Sequence, residues 1–145
     1  PEAVAVMKPM WEDLGHHVLT LKAEDKIKYH GAAAMASNEM LGLMQASIDV
    51  LSECGFAEED SMALLRPLVE GNIASMLEKG CVNALTGPVE RGDAQTVEKH
   101  LQALAGSKAG RIYQSLGSTM VELAGRRNPD RDYTPIRKLF EKNAD

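Results

Sequence analysis

The stretch AEDKIKYHGAAAMASNEMLGLMQASIDVLSEC, residues 23 to 54, decides the fold. It reads as one long helix. Glu24 and Asp25 sit at its start, where the helix dipole favours acids. Gly55 follows as its stop. A helix of that length in a short chain predicts helical neighbours to pack against it.

The flanks agree. Upstream, Val4, Val6, Met7, Met10, Trp11 and Leu14 recur at helical spacing, and Gly15 closes the pattern. HHVLTL, residues 16 to 21, suits one short strand or a linker, with no second strand candidate to pair with. Downstream, AEEDSMALLRPLVEGNIASMLEKG (57 to 80) opens on Glu58, Glu59 and Asp60 and ends on Gly80. Pro67 is expected to bend or interrupt it. Asp93 is a good N-cap for a helix from Ala94 to Leu104. Ser107 starts another that runs to about Ala124, with Ile112, Leu116, Met120 and Leu123 on its apolar side. GRRNPDRDY reads as a polar linker. Thr134 and Pro135 then open a terminal helix to Lys142. The expectation is an all-α bundle of about six helices, a single domain over residues 1–145.

A chain of 145 residues buries roughly 70% of its extended surface and needs no metal or disulfide to hold a core. The net charge of −5 argues against nucleic acid as a partner, because phosphate-backbone binders carry a basic face. No apolar run approaches the roughly 20 residues of a membrane span, and no signal peptide opens the chain. Cys54 and Cys81 lack CxxC spacing and read as partly buried free thiols in a reducing compartment, which makes the expected location cytoplasmic. The eight methionines read chiefly as core filler, although Met-rich surfaces also serve as adaptable interfaces. The sequence begins at Pro1 rather than Met, which suggests a piece of a longer protein.

Chemistry is narrowed by what is missing. His16, His17, His30 and His100 have no paired ligand spacing, so no metal is expected. There is no GxSxG nucleophile elbow and no GxGxxG after a strand. On the long helix, His30, Ala34, Ser37 and Asn38 share one sector bordered by Ala33. That stripe is either one wall of a ligand pocket or a polar set facing solvent or another helix. Burying such groups unpaired would cost on the order of 1–3 kcal/mol each. The second candidate is NALTGPVERGD, residues 83 to 93. Thr86-Gly87-Pro88 makes a rigid turn with a hydroxyl, and Arg91-Gly92-Asp93 sets a guanidinium beside a helix start. The loop suits an anion such as a carboxylate or phosphate. Equally, it is an ordered turn in which Arg91 pairs with a carboxylate and Asp93 caps.

YHGAAAMASN, followed about 45 residues later by NALTGPVERGDAQTVEKHLQAL, resembles a helical C-terminal domain of unknown function. That domain follows an N-terminal Rossmann-like NADP-binding domain in bacterial oxidoreductases. It is similar to the C-terminal domains of the 6-phosphogluconate dehydrogenase, ketopantoate reductase and pyrroline-5-carboxylate reductase superfamily. The resemblance runs from the first helix to about Ala124. It implies a substrate-binding and dimerisation domain, with NADP bound mainly by a Rossmann domain that precedes this sequence. The implied reaction moves a hydride to or from a small carbonyl, imine or hydroxy acid. The fragment alone is expected to be inactive, and a homodimer is the expected assembly. His30 and Asn38 become catalytic candidates; Ser37, Thr86, Gly87 and Arg91 become substrate-binding candidates.

One position departs from the pattern. Ketopantoate-reductase-type relatives carry a proton-transferring lysine four residues before the asparagine, where this chain has Ala34. His30, one turn further back, is the expected substitute because imidazole titrates near neutrality. The same departure keeps open a non-catalytic interaction or sensory module, or a stand-alone helical binding protein.

Overall fold

In a computed structural model that describes residues 2–142, the order is α1 (Glu2–Asp13), a 3-10 turn (Ala23–Asp25), α2 (Lys26–Glu53), α3 (Glu58–Ala84), α4 (Pro88–Arg91), α5 (Ala94–Ala103), α6 (Lys108–Arg127) and α7 (Thr134–Lys142). Six of these helices have nine residues or more, and no strand occurs among the described residues. The protein is all-α. HHVLTL forms neither helix nor strand, because a lone strand has no ladder to satisfy its backbone groups.

Helix ends follow local chemistry. At the end of α2 the Phe56 amide donates to Leu51 O and the Gly55 amide to Ser52 O, at 3.2 and 2.9 Å. This paired closure satisfies carbonyls the helix would orphan. Pro67 does not interrupt α3: its torsions stay helical there and break only at Gly80, where φ is 75°. Pro67 and Ala63 are exposed, so the carbonyl that Pro67 cannot serve is left to water. Asp93 caps α5 by accepting from the Thr96 amide at 3.0 Å, and Ser107 caps α6 by accepting from the Gly110 amide at 2.9 Å.

The chain divides into two units, residues up to Leu41 and residues from Gly42 onward. The core belongs to the second. Val97 of α5, Val121 and Ala124 of α6, and Ile136 and Phe140 of α7 are buried together with Val89 and Tyr133. α7 turns Ile136, Leu139 and Phe140 inward at helical spacing. Its last turn is tied to α6 by Gln114 Nε2, which donates to Phe140 O at 2.8 Å. The α6–α7 crossing is close because α6 has a buried glycine there: a Cβ on Gly117 would lie 2.2 Å from Phe140 Cε1.

The first unit has no such core. No residue of α1 is buried, and none in the first half of α2. Instead Met7, Met10, Trp11, Ile27, Tyr29 and Met35 are among thirteen large apolar side chains up to Leu41 that are 42–80% exposed. The methionine expectation is corrected accordingly. Met7, Met10, Met35, Met40, Met62 and Met76 lie on exposed faces rather than in the core, since the helices that carry them bury little in this chain. Cys54 and Cys81 are free and exposed, not partly buried; each lies at a helix end or kink beside Gly55 or Gly80, where little packs.

Candidate functional site

The loop between α3 and α4 is built by backbone constraint on one side and by side chains from α6 on the other. Gly87 has φ 92° and ψ −169°, a conformation essentially reserved for glycine. Pro88 then occupies the first turn of α4 with its fixed φ. The Arg91 amide donates to Gly87 O at 3.1 Å, and the Asp93 amide to Pro88 O at 2.9 Å.

Glu90, which sequence reasoning passed over, is the polar centre of this region. Asn128 Nδ2 donates to its carboxylate at 3.0 Å, and Arg131 and Arg127 approach the same oxygen at 3.6 and 3.9 Å. Its backbone carbonyl accepts from the Tyr133 hydroxyl at 2.6 Å and from Arg131. Arg127 also donates to Asn83 O at 2.8 Å and to Leu85 O. Tyr133 is buried while its hydroxyl reaches this cluster, the usual arrangement of an aromatic ring with a polar handle. These partners come from the GRRNPDRDY stretch, so it is no mere linker. No local signal links Glu90 to residues 37 or more positions away; the only hint was two arginines four residues apart, Arg127 and Arg131.

Thr86 and Arg91 are exposed, and their side chains make no hydrogen bond or ion pair with the described residues. Arg91 therefore does not form the carboxylate pair weighed for an ordered turn. Asp93 does cap, and its carboxyl is held below the usual aspartate range. The Thr96 hydroxyl and amide bonds do most of this, with added attraction from Arg91 and Lys99. Thr86, Gly87 and Arg91 are brought together on one turn of the second unit.

His30, Ser37 and Asn38 belong to the first unit, on the exposed first half of α2. Ser37 Oγ donates to Ala33 O at 2.6 Å, a back-bond available to any helical serine. The His30 imidazole and the Asn38 amide make no hydrogen bond with the described residues. Their exposure removes the burial cost that first singled out the stripe, and leaves their donors and acceptors free for a ligand.

A second feature lies within the unit from Gly42 onward. Leu43, Ala46 and Val50 of α2, Leu65 of α3, and Ile112 and Leu116 of α6 line an apolar cavity of about 430 Å³. None of the six sequence-derived candidates lines it. Tyr113 borders it, with its hydroxyl 2.9 Å from His100 Nδ1 and its phenol pushed above the ordinary tyrosine range by burial. Among the described residues no group of three or more His, Cys, Asp or Glu is placed to hold a metal ion. No helix among them is long and apolar enough to cross a membrane.

Fold and site together define an all-α domain that presents one clamped interhelical loop and broad uncovered apolar helix faces. The chain belongs to the family described as Domain of unknown function (DUF2520), whose profile matches residues 1–120. No curated protein and no solved structure matches it.

Proposed function

We propose that this chain is the C-terminal substrate-binding and dimerisation domain of an NADP-dependent oxidoreductase in the 6-phosphogluconate dehydrogenase C-terminal-like superfamily. The observation that carries the reading is the uncovered apolar surface. Thirteen large apolar side chains up to Leu41 are 42–80% exposed, and no residue of α1 is buried. α3 adds Leu64, Leu68 and Leu77, and the cavity beside Leu43 and Leu116 extends the apolar surface of the second unit. Surface of this extent calls for a partner, and a second copy of the chain, meeting the first across a two-fold axis, is the commonest solution.

The chemistry assigned to the domain is substrate handling. Asn38 and Ser37 orient a small carbonyl, imine or hydroxy acid, His30 carries the proton, and Thr86, Gly87 and Arg91 hold an anionic group. The uncommitted side chains of His30, Asn38, Thr86 and Arg91 support these roles. By the same resemblance, NADP is assigned to a Rossmann domain that precedes this sequence. When bound there, its nicotinamide supplies or takes the hydride.

The test is NADPH oxidation by the parent protein over a panel of small keto acids and imines. Turnover that falls by about 10²-fold or more in His30→Ala is the expected result. A variant that keeps the parent rate removes His30 from the mechanism. A second reading, a non-catalytic interaction or sensory module, draws on one observation: Ala34 stands where enzymatic relatives carry lysine. NADPH binding with no turnover across the panel favours it.

A further inference from the structure

Three backbone carbonyls that bracket the Thr86–Arg91 loop accept from side chains at the end of α6 and beyond it. Arg127 takes Asn83 O and Leu85 O, while Arg131 and the Tyr133 hydroxyl take Glu90 O. All three donors lie outside residues 1–120, the part of the chain the family profile covers. One terminal nitrogen of Arg127, Nη1, donates to both Asn83 O and Leu85 O, so a single cationic group bridges the two carbonyls. A neutral carbonyl that accepts from a guanidinium makes a charge-assisted bond, stronger than an amide–carbonyl one. The bonds end on main chain, so they fix the path of the loop whatever its side chains are. What they leave free is the pair Thr86 and Arg91, both exposed and with side chains that make no hydrogen bond or ion pair with the described residues.

We propose that Arg127, Arg131 and Tyr133 are positioning residues that hold the loop by its carbonyls, so that Thr86 and Arg91 meet an anionic substrate group in a preset geometry. Holding a site by a supporting shell is what limits its looseness to a fraction of an ångström. The Glu90 carboxylate is secondary in this arrangement. Its ion pairs are long, at 3.6 and 3.9 Å, and partly exposed pairs contribute little. The consequence for catalysis rests on the reading of the loop as a substrate wall. The clamp itself does not.

Amide hydrogen exchange on the full chain tests it without any substrate. Arg127→Gln is expected to speed exchange at the Arg91, Gly92 and Asp93 amides by about tenfold or more, with Val97 and Val121 unchanged. Tyr133→Phe keeps the ring in the core and is expected to speed the same amides by a smaller factor. Glu90→Gln leaves the carbonyls in place and is expected to leave the loop protected. Arg127→Lys keeps a cationic donor and is expected to restore part of the protection. Unchanged loop exchange in both Arg127→Gln and Tyr133→Phe overturns the proposal. So does an equal acceleration at Val97 and Val121. In the parent enzyme the clamp variants are expected to raise KM with kcat nearly unchanged. A loosened loop with unaltered turnover sinks the substrate-wall reading and leaves the clamp standing.

Discussion

Gly117→Ala puts one methyl group into the tightest crossing of the molecule. Its Cβ would sit 2.2, 2.3 and 2.7 Å from Phe140 Cε1, Cζ and Cδ1. Ordinary carbon contacts are about 3.5–4.0 Å, so the ring must move by more than an ångström. Phe140 is 2% exposed and packs in the core with Ile136, Val121 and Tyr113. Overpacking of this kind costs about 1–3 kcal/mol. Against it stands the helix-propensity gain of Gly→Ala, about 1 kcal/mol. The steric term wins because three rigid ring atoms overlap at once. The net expectation is a loss of about 1–2 kcal/mol, or a Tm lower by about 3–8 °C. Gly125→Ala on the same helix is the control, since nothing lies within 4 Å of its added Cβ; it should gain up to about 1 kcal/mol. Phe140→Leu removes the two ring atoms in deepest overlap, so the double variant should recover about 1 kcal/mol relative to additivity. Urea unfolding at one fixed protein concentration reads all four proteins, because association would add to the apparent stability. If Gly117→Ala matches Gly125→Ala in stability, the α6–α7 packing described above is wrong.

Ser61 is fully buried and its hydroxyl has no hydrogen-bond partner among the described residues. Ser61→Ala should therefore be neutral or stabilise by up to about 1 kcal/mol, and a drop in Tm would reveal a partner for that hydroxyl. Acid stability should depend on Asp93 and Asp132. Bonds from the Thr96 and Thr134 hydroxyls and amides hold both carboxyls below the ordinary value of 3.8. A depressed folded-state value means their support is present above pH 3.8 and is lost as pH falls through the lower folded values. Asp93→Asn and Asp132→Asn should flatten that acid limb of a stability-versus-pH curve; a limb of unchanged slope would contradict the assignment. Gly87→Ala has steric room but the wrong torsions, at φ 92°, and should cost about 1–3 kcal/mol, read by the same urea titration.

Local chemistry made much of this fold legible. The Asp93 and Ser107 caps and the Gly55 stop each depend on residues a few positions apart, and each is found where the spacing put it, whereas the stripe that α6 buries is Gly117, Val121 and Ala124, with Leu116 of the expected apolar side exposed. Pro67 does not interrupt α3 because its cost depends on whether the freed carbonyl is exposed, which no local pattern states. The methionines misled because periodicity reports which face is apolar and says nothing of what covers it. At the site, Thr86, Gly87 and Arg91 stood out by residue type alone. Glu90 did not, because its meaning comes from Arg127, Asn128, Arg131 and Tyr133, supplied by a later turn of chain. The cavity bordered by Tyr113 is likewise assembled from α2, α3 and α6 and has no signature in any one of them.

Sedimentation equilibrium at micromolar concentration bears most directly on the claim that the apolar faces of α1, α2 and α3 are an interface. The account predicts a dimer that Met35→Glu and Leu68→Glu each shift toward monomer, since both side chains are well exposed on those faces. A wild-type chain that stays monomeric and soluble across that range would contradict it.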